Sequence, residues 1–468
     1  MTENYIQKIH NEALKVLKVI GISVENDKAL KSLANKGIKI IGTRAFFEPE
    51  FVNEQLAEML SGSTAVQKAK SGNKISLTPN AMPLNYLNPY SRNIEPMNLA
   101  NLIQTAKFVE TIKDDGMSSY VAGLPTDIPT QMNSLTEIYV GVKYTENACN
   151  ADTYFPEEAL PYVAEIYSAL EKKMCGWFYS ISPLRLAGGE FDAIINNLDL
   201  FESISCGSLP SIGISGPIYP DVTWALAIAE ALGAAMVIRM LCSGKPVSFF
   251  PGVFAFDLRS MITTNSSPES LMMAYDSYQI HKRYYPDAQY NSHIYTAAKS
   301  PGIQAAMEKG LSGSFAVALG CRNLHGAGGL CEYDIFSPEQ AMIDIELKKW
   351  LERLITETPI PPMENWSDII KEGYLDGYMN TDTTLDNHKE IYYYPSMLDR
   401  SSLGTFLQNK NNKKVEEIAR EKAMEKIEGY SFKPAADKIR KVSEIYNRAW
   451  RALAKGTPNP FDAMEDNT

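Results

Sequence analysis

The sequence predicts an α/β fold: a (β/α)8 TIM barrel carrying an N-terminal helical segment and a C-terminal helical extension. Three observations lead there. Short β-rich runs alternate with helical runs eight times between residues 74 and 356, which is the arithmetic of a barrel of about 280 residues. No GxGxxG and no GxxxxGK[ST] occurs anywhere, so the glycine-rich turn expected after the first strand of an open nucleotide-binding sheet is missing. The alternation then stops after Thr356, where Thr358-Pro-Ile-Pro-Pro362 makes a stiff connector. The expected divisions are 1–73 for the helical segment, 74–356 for the barrel and 357–468 for the extension.

The first seventy residues read as helical. Ile6, Ile9, Ala13, Leu14, Leu17 and Ile20 recur at three- and four-residue intervals and form one apolar stripe. Asp27 can cap a second helix that Gly37 ends, and 48–60 reads as a third. The expected strands are 75–78, 117–122, 143–149, 176–182, 210–215, 246–252, 289–295 and 321–325. The expected helices are 97–113, 133–142, 156–172, 190–201, 220–241, 268–283, 301–318 and 338–355. Several begin with proline in the first turn, where its missing N–H costs nothing. Strand–helix alternation implies parallel strands with right-handed crossovers. Beyond the connector, 402–429 and 435–453 read as charged amphipathic helices, and the end from Gly456 as frayed.

The chain has 468 residues, 45% hydrophobic and 22% charged, enough to bury a large core without disulfides or metals. Its formal charge of −11, from 56 acids and 45 bases, argues against a nucleic-acid partner. Six scattered cysteines show no CxxC pair, which argues against a zinc site or a disulfide framework. The longest apolar stretch, 225–242, contains Glu230 and Arg239 and reads as a buried helix rather than a membrane span. The acidic start shows no secretory leader, and a cytoplasmic protein is expected.

In such a barrel the site lies at the carboxyl ends of the strands. Those ends and the loops after them carry Tyr120, Asp127, Asp152, Tyr154, Phe155, Ser182, Arg185, Phe249, Phe250, Phe254, His293, Tyr295, Arg322 and His325, a set rich in rings to which Tyr179 could add another. It has no paired carboxylates at acid–base spacing and no HExxH, and Gly213-Ile-Ser-Gly-Pro217 fails the nucleophile-elbow pattern. Two readings of the rings stand. They fill the barrel top, or they form a box for a quaternary ammonium, a cation with no N–H to donate, which ring faces attract by about 0.5–2 kcal/mol each. Two of only five histidines, His293 and His325, fall at adjacent strand ends, as core imidazoles or as site residues. Arg185, Arg259, Lys299 and Arg322 are either solvated or positioned for a carboxylate.

Several blocks add a family resemblance: His10-Asn-Glu-Ala-Leu14, Asp127-Ile-Pro129, Ile181-Ser-Pro-Leu184, Pro217-Ile-Tyr-Pro-Asp-Val-Thr223, Gly244-Lys-Pro-Val247, His325-Gly-Ala-Gly328 and Phe336-Ser-Pro-Glu-Gln340. In this order, across most of the chain from Ile9 to about Ile355, they resemble the trimethylamine methyltransferase family. The resemblance implies a (β/α)8 barrel that moves a methyl group from an N-methylated amine to the cobalt of a cognate corrinoid protein. Founding members carry pyrrolysine, at a position that falls near Tyr295 here, and this sequence has none. It therefore resembles the branch acting on quaternary amines, with glycine betaine favoured over relatives such as proline betaine, carnitine or butyrobetaine. The implied cofactor is a corrinoid (cobalamin) held by the partner, with no metal or nucleotide on this chain, and a homo-oligomer is expected. The expected substrate-binding residues are Tyr120, Tyr154, Phe249, Phe250, His293, Tyr295, Arg322 and His325; no catalytic residue is assigned. The competing expectations are a demethylase of another N- or O-methylated small molecule and a non-catalytic barrel that binds a quaternary amine.

Overall fold

The structure, a computed structural model, describes residues 2–61, 72–80, 82–147, 156–242, 244–409 and 411–462. It is an α/β fold built on two arcs of parallel strands. In the first, Asn291–His293 pairs with Asn323–Ala327, which pairs with Ser76–Pro79, whose Leu77 bridges in parallel to Met117. Within the two arcs, the last strand in sequence thus lies beside the first. In the second arc, Cys175–Tyr179, Ser203–Ser208 and Val247–Pro251 pair in sequence order, with Phe178, Cys206 and Phe249 in one register row. No ladder joins the two arcs among the described residues.

Period-two alternation divides each strand into two faces. Leu77, Phe178, Ile204, Cys206, Phe249, Ile294 and Leu324 are buried. They meet the helices: Phe178 packs on Phe191 at 5.3 Å, Phe249 on Tyr284 at 4.9 Å, and Ile294 lies under Gly313. The long helix Pro220–Leu241 is apolar and long enough to cross a membrane, but 78% of its most apolar stretch is buried within the fold. It packs on Ser203–Ser208, Val247–Pro251 and the first helix, Glu3–Val19. Gly233 permits that last approach, since a Cβ there would lie 2.9 Å from Leu17.

Helices Pro220–Leu241 and Pro338–Ile355 have the expected bounds. Four expectations are corrected. The first seventy residues are not all helical: Ile22–Val24, Lys39–Ile41 and Arg44–Phe46 form a small sheet that adds Arg185–Leu186 in parallel. Strands of three residues are too short to display a period. The expected strand 143–149 begins inside the helix Asn133–Tyr144, and residues 148–155 lie outside the described ones. The expected strand 210–215 is Ser203–Ser208 instead. Its serines conceal it: Ser205 faces away from the helices and bonds Ser248 across the ladder at 2.7 Å. Of 117–122, only Met117 pairs.

At the end of Asn323–Ala327 the chain turns through Gly326 and Gly328, both at positive φ. A buried ion pair holds the turn. Lys309 Nζ donates to Asp344 Oδ2 at 2.8 Å and to the Gly326 carbonyl at 3.0 Å, while Gly328 N and Gln340 Nε2 donate to the same carboxylate. From there Gly329–Leu330, Ile335–Phe336, Asn85–Leu87 and Ile94–Pro96 form a sheet at the carboxyl ends of the first arc.

The C-terminal extension has two parts. Residues 357–409 leave large apolar side chains in solvent, Met379 at 82% and Ile360 at 78% exposure. The final helix, Ala436–Leu453, is docked: Tyr446 stacks on Tyr139 at 4.4 Å and bonds Thr136 at 2.9 Å.

Removing one partner of the Lys309–Asp344 pair strands a buried charge. Lys309→Met is expected to cost about 3–5 kcal/mol in denaturant unfolding. The double variant Lys309→Met/Asp344→Leu is expected to recover most of that loss.

Candidate functional site

The face of the strands turned from the helices is polar. It presents Ser76, Thr78, Asn291, His293, Asn323 and His325 on the first arc, and Cys175, Trp177, Tyr179, Ser203, Ser205, Ser248 and Phe250 on the second. A filled barrel would put branched apolar residues here. These side chains are instead accessible or half-buried, apart from the largely covered Ser248. The face borders solvent-sized space.

On the first arc, His293 and His325 are in register on neighbouring strands. The His293 ring stacks on Tyr295 at 5.1 Å, and Tyr295 meets Tyr333 edge-on at 6.1 Å. Gly326 makes room for Tyr295: a Cβ there would fall 2.7 Å from the ring. His293 keeps an exposed surface although protein crowds around its ring. That enclosure, with His325 alongside, pushes its pKa down to about 4. Burial lowers the His325 pKa as well. Both rings are therefore neutral near pH 7. Thr78 Oγ1 donates to Asn323 Oδ1 at 3.1 Å, and Asn323 Nδ2 lies 3.1 Å from His325 Nε2.

On the second arc, the Phe250 ring meets Tyr179 edge-on at 5.4 Å, and Tyr179 meets Trp177 at 5.1 Å. Gly207 lies between Tyr179 and Phe250, where a Cβ would fall 2.5 Å from each ring. The strand ends are tied down by Glu230, fully buried on the long helix. Its carboxylate accepts from the hydroxyls of Ser180 at 3.2 Å, Ser182 at 2.7 Å and Ser208 at 2.6 Å, and from Leu184 N at 2.8 Å. Above the first arc, Glu332 accepts from Asn265 N at 3.0 Å, and burial raises its pKa.

The structure brings together His293, Tyr295 and His325, and gives Phe250 the partner Tyr179. Tyr120 is buried in the extended stretch after Met117. Tyr154 lies outside the described residues. Two expectations are corrected. Phe249 faces the helices, 1% exposed against Tyr284 and Tyr285, because strand alternation gives adjacent residues opposite faces. Arg322 precedes its strand, at the end opposite the site, and its guanidinium is taken up by the carbonyls of Gly72 and Cys321. Arg185 pairs with Glu25 on the N-terminal segment.

Sequence reading missed Thr78, Asn323, Trp177 and the tethering role of Glu230. A carboxylate inside an apolar helical run was the available signal for Glu230, since a buried charge needs partners. Among the described residues, no three His, Cys, Asp or Glu side chains gather to hold a metal ion.

Parallel strands with one packed face and one open polar face edged by rings make this an α/β protein whose open sheet face is the candidate site. Comparison with known proteins gives the family. The model of the trimethylamine methyltransferase (MTTB) family matches residues 1–446, and the chain belongs to that family of methyltransferases. It is 25% identical to the glycine betaine methyltransferase of Desulfitobacterium hafniense over 437 residues, 90% of this chain and 91% of that one. It is 20% identical to the trimethylamine methyltransferase MttB of the same species, over 94% of this chain and 91% of the relative. The crystal structure of the Methanosarcina barkeri monomethylamine methyltransferase aligns over 94% of this chain and 97% of that one, with 10% identity and a TM-score of 0.46.

The His293 shift has a checkable sign. Its folded pKa of about 4 lies below the ordinary 6.5, so the unfolded chain takes up the proton first. Stability from this group is complete above pH 6.5 and is lost as the pH falls toward 4. Denaturant unfolding at pH 7 and pH 5 is expected to show that loss, and the loss is expected to be smaller in His293→Gln.

Proposed function

We propose that this chain transfers a methyl group from a betaine-type quaternary amine, glycine betaine in the first instance, to the Co(I) corrinoid of a cognate partner protein. The observation that carries the reading is the pairing of reachable ring faces with neutral hydrogen-bonding groups on one open sheet face, in a chain of this family. The two strand arcs are proposed to close into one (β/α)8 barrel, so that Tyr295 and Tyr333 face Tyr179 and Phe250 across a shared lumen. The last-beside-first pairing of Asn323–Ala327 with Ser76–Pro79 supports that closure.

A fully alkylated nitrogen offers no proton, so attraction must come from ring faces and from shape. Tyr179, Phe250 and Tyr295 would hold the cation, and His293 and His325 the carboxylate, with Tyr120 nearby at the second strand's end. The corrinoid would supply the methyl acceptor, a nucleophile for the N–CH3 carbon. Displacement releases a neutral tertiary amine that keeps the C–N electron pair, so no general acid is needed. The work left to this chain is to orient one methyl group and exclude water. The partner's access is proposed at the carboxyl ends of the strands. Self-association of the chain is proposed through the exposed apolar segment 357–409.

With reduced corrinoid protein or free cob(I)alamin, glycine betaine is expected to be demethylated and trimethylamine not. Phe250→Leu and Tyr179→Leu are each expected to raise KM about fivefold while kcat changes little, since each removes about 1 kcal/mol of cation attraction. The absence of transfer from every betaine tried, with active cob(I)alamin, overturns the reading.

A further inference from the structure

We infer that Thr78 and Asn323 fix the tautomer of His325, so that its Nδ1–H is the donor presented to the anionic end of the substrate. This rests on the betaine reading above and names how that site tells a zwitterion from a simple cation.

The bonds run along one face of the first arc. Thr78 and His325 are paired in register, as are Ser76 and Asn323, so the three side chains involved share one surface. The Thr78 hydroxyl donates to Asn323 Oδ1 at 3.1 Å, which turns the amide so that its NH2 group faces the histidine. An amide NH2 has only protons to offer. His325 Nε2, 3.1 Å from Asn323 Nδ2, must accept, and the single proton of the neutral ring then sits on Nδ1. Nδ1 has no protein partner among the described residues, and neither do the ring nitrogens of His293. His293 lacks an amide neighbour of this kind, so its proton is free to follow the ligand.

A neutral donor suits this ligand. In a betaine the carboxylate and the quaternary nitrogen are close together, and a lysine or arginine at the carboxylate would also repel the cation. An imidazole N–H binds the anion without adding a charge. The positions of this face, Ser76, Thr78, Asn291, His293, Asn323 and His325, contain no lysine or arginine. Thr78 and Asn323 do not meet the substrate; they are positioning residues.

The test has two independent readouts. The chain has five histidines, so protein labelled with 15N at histidine gives a tractable spectrum, with His325 identified by its loss in His325→Gln. In the wild-type protein its Nδ1 is expected to be protonated and its Nε2 not; Asn323→Leu is expected to leave a mixture of tautomers. In calorimetric titrations, Asn323→Leu is expected to weaken glycine betaine binding about tenfold and to change tetramethylammonium binding by less than about twofold. Thr78→Val is expected to act in the same direction more weakly, and it carries the binding test should Asn323→Leu fail to fold. A wild-type His325 protonated on Nε2 overturns the inference, as does equal loss of both probes in the variants. Wild-type protein that binds tetramethylammonium but not glycine betaine overturns the betaine reading and the assigned ligand, while the histidine spectrum still decides the tautomer.

Discussion

The structure depends on one constraint: a strand has two faces, and only one of them can pack on helices. In both arcs the helix-facing positions are buried and mostly apolar, and the opposite positions hold Ser, Thr, Asn, His, Cys and aromatic residues. Burying Leu77, Phe178, Ile204, Phe249, Ile294 and Leu324 against the helices stabilises the fold by roughly 1.5–3 kcal/mol per side chain. The stabilisation comes almost wholly from that side, which frees the other face to remain open and polar. Serine at 205 and 248 and glycine at 207 add little to stability; they leave space between the rings.

An open face needs strand ends that do not wander, and two buried carboxylates supply that on separate arcs. Glu230 collects four donors from the ends of Cys175–Tyr179 and Ser203–Ser208. Asp344 collects Lys309, Gln340 and Gly328 N beneath the turn after Asn323–Ala327. Desolvating a carboxylate is costly, and it is tolerated where several donors converge on it. Both acids sit on helices rather than on strands, so each anchors a loop to the packed layer. Neither lies among the open-face positions of the strands.

Helical elements were legible in the sequence because their signals are local: proline in the first turn, apolar stripes and a long run such as Pro220–Leu241. Strands were legible where apolar residues cluster, as in Val247–Pro251, and illegible where the open face alternates polar with apolar. Ser203–Ser208 was displaced for that reason. The histidines and Tyr295 were legible because rare or bulky residues recur at strand ends. Phe249 and Phe250 could not be told apart, since adjacent residues on a strand share a position in sequence and differ only in face. Arg322 lies at the amino end of its strand whether the strand is taken as 321–325 or as Asn323–Ala327, so the strand-end rule itself already placed it away from the site. Thr78 and Asn323 carry no signal until register places them beside His325.

The neutrality of the site bears on which chemistry it can support. Two imidazoles with lowered pKa values, together with hydroxyls, amides and rings, make poor proton donors near pH 7, but they solvate a zwitterion without biasing its charge. A tertiary amine would need a group to protonate or otherwise activate its nitrogen, because displacement from the free base would expel an amide anion. A quaternary amine needs no such group, because its leaving group is already a neutral base. The proposed reading therefore matches what the open face lacks as well as what it holds: the barrier is lowered by orientation and by a dry, fixed environment for the departing amine, effects that rigid strands and anchored loops are suited to provide.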